Sequence, residues 1–315
     1  MTTVLPSVLI LGGTGFVGRH VVAALVDAGY RVVVPTRRRA AARDLFLLPT
    51  VEIFEADIRD RATLARLASG AAAVINLVGI LNESRRRTFA DVHVGITETA
   101  IAASKAAGVP RLLQMSALNA DPAGPSRYLA TKGEAEAKVV ASGLAYTIFQ
   151  PSVIFGREDD FLNRFATLLR LFPVMPLPGA GAKFQPVYVG DVAQCFVHAL
   201  ADDATVGMTY RLCGPTIYTL RELVRYVGEI TDNVRPIIGL GPTLAGAQAC
   251  MLEHMPGTPM SRDNLLSMQR DSVCGCPFPA EFGIVPAAIE ALVPTWLAPE
   301  AIRSRYDRIR AQGGR

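Results

Sequence analysis

The chain has 315 residues, half of them hydrophobic and 19% charged, a balance that fits a folded globular protein and excludes intrinsic disorder. Its formal net charge of +4 is scattered and too small to point to nucleic acid, and no apolar run approaches the roughly 18 residues of a membrane-spanning helix. Five cysteines without paired zinc spacing predict reduced, structural thiols, and His20, His93, His198 and His254 lack metal-ligand spacing, so no metal is expected. No basic region precedes the first apolar run, which argues against a secretory signal and predicts a cytoplasmic protein.

In chain order, the run Val8 to Leu11 breaks into Gly12-x-x-Gly15-x-x-Gly18. An amphipathic stretch, Phe16 to Ala28, and a second strand, Arg31 to Thr36, follow it, giving the β-turn-α-β setting of a dinucleotide site. A helix starting near Gly15 directs its unpaired N–H groups and positive dipole end at a phosphate. The glycines make the tight turn, admit the pyrophosphate and let helix and strand pack closely. Gly12, Thr14, Gly15, Phe16, Val17 and Gly18 are therefore predicted cofactor-binding residues. The second strand runs into Arg37-Arg38-Arg39, with no carboxylate. A guanidinium fork suits the 2'-phosphate of NADP(H), so NADP(H) is favoured over NAD(H), with Arg37 as the leading contact and Arg38 beside it.

A third strand, Val51 to Phe54, leads to Asp57 and Ile58, also assigned to the cofactor; Asp57 suits either the adenine amino group or a cap of the next turn. Asp60 is a predicted N-cap for a helix Arg61 to Ala68, and Gly70, Gly108 and Gly143 fall where helices end. Strands follow at Ala73 to Leu77, with Val78 and Gly79 at its end, then at Leu112 to Met115 and Tyr146 to Phe149. Strand and helix in alternation predict a Rossmann-type α/β fold, a doubly wound parallel sheet covered on both faces. Pro151 and Val153, after the sixth strand, complete the predicted cofactor contacts.

Beyond Pro151 the alternation loosens into a helix Phe161 to Leu171, a proline-rich loop, a helix Val192 to Leu200 capped by Asp191, a strand Tyr210 to Cys213 and a helix Leu220 to Ile230 capped by Thr219. The predicted organisation is a dinucleotide-binding domain over residues 1–155, with further core elements from 185–215, and a smaller substrate- or partner-binding region over 156–315. In Pro299 to Arg310, Ile302, Tyr306 and Ile309 share a helical face among Arg303, Arg305, Arg308 and Arg310. Such a basic amphipathic helix suits packing on its own domain or docking on an anionic membrane surface or acidic partner.

Tyr128 and Lys132 sit four apart at the start of a helix, on one face. An ammonium about 4 Å from the phenol, at an effective dielectric of about 20, lowers its pKa by roughly 3 units, bringing the tyrosine into range for proton transfer while a nicotinamide exchanges hydride. Position supports the pair, since it follows the fifth strand at the ligand-binding edge of the sheet.

Gly12-Gly-Thr-Gly-Phe-Val-Gly18, Tyr128-x-x-x-Lys132 and Gln150-Pro-Ser-Val-Ile-Phe-Gly156 together resemble the extended and atypical short-chain dehydrogenase/reductases. More narrowly, Ser126 to Lys132, Phe155 to Asn163, Gln185 to Asp191, Met260 to Asn264 and Asp271 to Cys274 are similar to bacterial relatives of the nucleotide-binding accessory subunit of respiratory complex I. The resemblance implies a Rossmann-type fold, tightly held NADP(H), and a structural task linked to the respiratory chain. In active family members a serine or threonine after the fifth strand hydrogen-bonds the substrate oxygen. Alignment places that position on Leu118, two residues after Ser116, leaving Ser116 to face nicotinamide or backbone; a register shift of two would restore it as a catalytic hydroxyl. The family lysine also binds the nicotinamide ribose, so Tyr128 and Lys132 serve binding as well as chemistry. Two functions stay open: a structural or regulatory NADP(H)-binding factor tied to complex I or quinone metabolism, and an active oxidoreductase or nucleotide-sugar epimerase/dehydratase.

Overall fold

The computed structural model describes residues 5–84, 87–253 and 260–298. The basic segment Pro299 to Arg310 lies outside them. Among the described residues no helix is long and apolar enough to cross a membrane.

Strands and helices alternate through β1 (Ser7–Leu11), α1 (Phe16–Asp27), β2 (Arg31–Thr36), β3 (Val51–Glu55), α2 (Arg61–Ala68), β4 (Ala73–Asn76), α3 (Ile96–Ala106), β5 (Arg111–Met115), α4 (Arg127–Val140) and β6 (Ala145–Pro151). The chain then forms β7 (Ile154–Phe155), α5 (Asp160–Leu171), β8 (Met175–Pro178), β9 (Lys183–Phe184) and β10 (Val187–Tyr188). It continues through α6 (Val189–Ala201), β11 (Met208–Leu212), β12 (Tyr218–Thr219), α7 (Leu220–Ile230), β13 (Ile237–Leu240), α8 (Pro242–Leu252) and α9 (Arg262–Ser267). The described residues divide into two units, the first drawn from Met1–Pro151, Val189–Leu212 and Pro279–Ile284, the second from the remainder.

The first unit is a seven-stranded parallel sheet in the order β11-β6-β5-β4-β1-β2-β3. This is a Rossmann-type doubly wound sheet. Strand order reverses between β1 and β4, so the loops after these two strands diverge and leave a crevice at their carboxyl ends. The pleat sends Leu9 and Leu11 into one core with Leu64, Val74, Ile96, Leu112 and Val139. On the opposite face α1 packs on α6, and Phe149 meets Phe196 with ring centroids 4.3 Å apart. Arg111 is a buried strut, its guanidinium donating to Ala145 O, Thr147 Oγ1, Ala199 O and Thr205 Oγ1 at 2.7–3.0 Å. Positive φ at Gly70, Gly108 and Gly143 ends three helices where the sequence places those ends. Asp191, expected as an N-cap, lies within the first turn of α6, because that helix begins at Val189.

In the second unit α5 and α7 enclose Phe155, Leu162, Leu169, Leu177, Leu223 and Val227. Thr219 and Glu222 form a full capping box on α7. Cys213 and Cys274, with Cα atoms 6.0 Å apart, form a disulfide, which corrects the expectation that all five cysteines are reduced. They lie 61 residues apart, and only the folded loops bring them into reach.

The strings Phe155 to Asn163, Gln185 to Asp191 and Met260 to Asn264 resolve here as scaffold. Asp159 is a buried cap accepting from Gly156 N–H and Leu162 N–H, and Asn163 donates to Arg157 O and Asp159 O. Gln185 donates to Gly214 O and accepts from Cys274 N–H, and Ser261 with Asn264 forms the capping box of α9.

Candidate functional site

The turn after β1 is sterically committed. Gly15 N–H bonds Gly12 O at 3.0 Å, and Gly12 has φ of +83°. A Cβ on Gly18 would collide with Gly12 O and sit 2.7 Å from Gly13 Cα. A Cβ on Gly12 would press within 3.2 Å of Leu77 C, at the end of β4. The glycines therefore draw α1 over the β1–β4 crevice. Gly15 is the N-cap of α1 without a side-chain cap bond, and the first turn holds no acid. The N–H groups of that turn are open to an anion, which fits a dinucleotide pyrophosphate. Thr14, Phe16 and Val17 are half-buried around the turn.

At the end of β2, Arg37 and Arg38 are exposed, while Arg39 lies over the Phe46 ring at 5.4 Å. Asp57 is engaged by its neighbour: Arg59 donates through Nε and Nη2 to both carboxylate oxygens at 2.6–3.1 Å and through its backbone N–H at 3.0 Å. The Arg59 guanidinium, assisted by Arg37, holds the Asp57 carboxyl below its ordinary range. Of the two uses predicted for Asp57, the turn cap is the one made by these bonds. Ile58 and Val78 pack partly buried against the core, and Asn76 Oδ1 accepts from Val78 N–H.

The other end of the site is carried by α4. Ser126 caps it through Leu129 N–H at 3.1 Å, and Arg127 pairs with Glu83 at 2.6 Å. Glu83 also accepts from Phe89 N–H, tying the loop after β4 to the helix that follows. Lys132 is 4% exposed and its Nζ donates to Met115 O at 3.4 Å, at the end of β5. A Cβ on Gly79 would stand 3.1 Å from that Nζ, so glycine there leaves room for the ammonium. Burial pushes Lys132 down to about 8, opposed by the Glu136 carboxylate.

Tyr128 is half-buried, edge-on to Phe89 at 5.8 Å and to His93 at 5.4 Å. Burial pushes its phenol up to about 12. This corrects the expected lowering by Lys132: the ammonium turns to Met115 O, and loss of solvent dominates the phenol.

Ser116 is 4% exposed; its N–H continues the ladder to Phe149 O at 2.7 Å. Its hydroxyl has no partner in hydrogen-bond geometry among the described residues, yet it lies close enough to Glu136 to favour the ionised carboxylate. Leu118 is buried, its N–H bonded to Pro151 O at 2.9 Å. Asn119 then turns the chain with φ of +65°, a conformation asparagine tolerates. Pro151 belongs to the first unit and Val153 to the second.

Three side chains escaped the sequence reading. His93 lies in a π-turn, Ala90–Gly95, accepting from Ile80 N–H at Nε2 (3.2 Å) and facing Thr131 Oγ1 through Nδ1 (2.9 Å). The Ile80 contact assigns the proton to Nδ1, and burial with the nearby Lys132 depresses the imidazole to about 3, so it stays neutral. Glu136 is one turn beyond Lys132, and Gln150 Nε2 donates to both its oxygens at 2.8 and 3.0 Å. The Lys132-x-x-x-Glu136 spacing was a visible signal for Glu136; nothing in the spacing marked Gln150 or His93. A separate cavity of about 210 Å³ in the second unit, lined by Arg221, Arg225 and Arg235, contains none of the predicted site residues.

The NAD(P)H-binding family profile matches residues 12–203. Subunit 9 of the mitochondrial NADH dehydrogenase (ubiquinone) 1 alpha subcomplex of Arabidopsis thaliana is 36% identical over 253 residues, 78% of this chain and 63% of that protein. The chain thus spans less than two thirds of the length of that relative. The ceramide reductase of Caulobacter vibrioides is 32% identical over 262 residues, 80% of each chain. Among solved structures, an NADPH-dependent quinone oxidoreductase of Escherichia coli complexed with NADPH superposes with a TM-score of 0.73 at 20% identity, covering 90% of this chain and 97% of that one, a likeness of fold.

Proposed function

This chain belongs to the NAD(P)H-binding family, and from that premise we propose that it is an NADP(H)-binding structural or regulatory factor of respiratory complex I or quinone metabolism. We place it in the cytoplasm at the inner face of the membrane, with a respiratory-chain partner. One observation carries the reading: after β5 the chain offers a buried Leu118 at the aligned hydroxyl position, while the Ser116 hydroxyl is buried beside Glu136. Loss of one such donor typically costs about a hundred- to a thousandfold in rate. Tyr128, pushed up to about 12, adds to the deficit.

A nicotinamide supplies or accepts hydride when bound; the chain's own part is to hold it. The Gly12–Gly18 turn and the N–H groups of α1 take the pyrophosphate, Arg37 and Arg38 take a 2'-phosphate, and Ile58, Val78 and Gly79 line the crevice. Lys132 takes the nicotinamide ribose. Similarity to an NADH dehydrogenase subunit and to a ceramide reductase supports the nucleotide, and the arginines support NADP(H).

The test is to release and identify the nucleotide from purified protein, titrate NADPH and NADH, and offer quinones, carbonyl compounds and nucleotide sugars to the reduced complex. Tighter NADPH binding with no oxidation is expected. Turnover abolished by Tyr128→Phe would sink the structural reading and establish the alternative, an active oxidoreductase or epimerase/dehydratase, which the retained Tyr128 and Lys132 on one face of α4 favour.

A further inference from the structure

We propose that Glu136 is a positioning residue of the dinucleotide site: clamped by Gln150 and seated beside Ser116, its carboxylate is the counter-charge that keeps the Lys132 ammonium protonated where the nicotinamide ribose is to bind. The proposal rests on the reading of Lys132 as a ribose ligand and adds what controls it.

A buried ammonium is costly unless an opposite charge and hydrogen bonds compensate it. Lys132 is 4% exposed, and among the described residues its Nζ makes one long hydrogen bond, 3.4 Å, to Met115 O. β5 presents the Met115 carbonyl, and the loop after β4 presents Gly79, without a side chain. The π-turn presents His93, held neutral by burial and by Lys132 itself. On α4 the neighbours are Tyr128, whose phenol stays protonated, and Glu136, the carboxylate whose charge acts on Lys132.

Glu136 is itself fixed. Both its oxygens accept from Gln150 Nε2; burial raises its carboxyl above the ordinary range, and the Ser116 hydroxyl, the Gln150 amide and the Lys132 ammonium oppose that rise in favour of the ionised form. Gln150 is at the end of β6 and Ser116 just after β5, so the carboxylate is anchored to the sheet rather than only to its helix. Residues four apart on α4 then transmit that anchoring to Lys132.

The full chain has four lysines, Lys105, Lys132, Lys138 and Lys183, which makes a side-chain NMR titration of lysine-labelled protein tractable. Without added nucleotide, Lys132 should titrate near 8, and Glu136→Gln should move its midpoint down by about one pH unit or more, with Lys138 unmoved as internal reference. Glu136→Asp, which keeps the charge, should restore most of the difference. Gln150→Leu, which leaves the carboxylate and removes only its clamp, should lower the midpoint by a smaller amount and serves if Glu136→Gln does not fold. A Lys132 midpoint unchanged in every folded variant overturns the proposal. NADPH affinity measured against pH is the second readout: it should begin to fall at lower pH in Glu136→Gln than in the parent. A moved midpoint with no NADPH binding at any pH would uphold Glu136 as the counter-charge and defeat the nucleotide reading; NADPH binding with an unmoved midpoint would do the reverse.

Discussion

At the turn after β1 the candidate site is shaped chiefly by backbone, whereas at the ends of β5 and β6 it is made by side chains gathered from distant parts of the chain. The first depends on close approach, with no room for a Cβ at Gly18, and no ionisable side chain caps the helix. The second depends on charge, with Lys132, Glu136, His93 and Tyr128 each moved from its ordinary pKa by burial. A backbone site is fixed once the fold forms. A side-chain site responds to pH, because burial sets the charge state of each of its members.

The contrast breaks first, and most severely, at Gly18. Gly18→Val adds bulk where a single carbon already collides, so a stability loss of more than roughly 3 kcal/mol and loss of measurable nucleotide binding are expected. Urea unfolding and cofactor fluorescence read both; a variant that binds normally would mean the turn is not close-packed.

At the other end the expected signature is pH dependence. The unfolded chain takes up the His93 proton near 6.5 and the folded chain only near 3, so the unfolded state binds more protons in that window and stability falls as pH drops through it. Acidification from about 6.5 to about 4 should cost on the order of 3 kcal/mol from this group, and His93→Gln should remove that component. Asp57, Asp60 and Glu98, held below their ordinary range, add acid sensitivity common to both proteins. Equal slopes of unfolding free energy against pH for the two would refute the assignment.

Arg37→Glu sharpens the comparison where side chains extend the backbone site. It should weaken NADPH by about tenfold and leave NADH within a factor of a few, measured by competitive titration. Smallest is Ser126→Ala, which removes the cap of α4 and should lower stability by about 1 kcal/mol in urea unfolding.

The same contrast explains what could be read from the sequence. The apolar runs located β1 to β6 within one or two residues at each end, because the buried parallel strands are nearly continuously apolar and the edge strand β3 keeps an alternating apolar face. Asp60 capping α2 and Thr219 capping α7 were legible because capping is local. Glu136 and Gln150 are 14 residues apart, and their bond exists only once α4 lies along β6. His93 hid in a π-turn, where the 3.6-residue period fails. The Tyr128 expectation failed for a different reason: spacing fixes which face a side chain occupies but not how much water remains around it.

The parallel sheet is assembled from pieces that leave the ribosome at different times. β6 is synthesised with its outer edge unpaired, and β11 arrives only after residues 152–188 have been made; Phe282, which packs edge-on to Tyr210 of β11 at 4.8 Å, arrives later still. A nascent chain ending shortly after Pro151 would carry the complete glycine turn together with an exposed strand edge, the feature most prone to pairing with another chain. The edge of β6 is therefore covered only once β11 has been made, well after the glycine turn is complete.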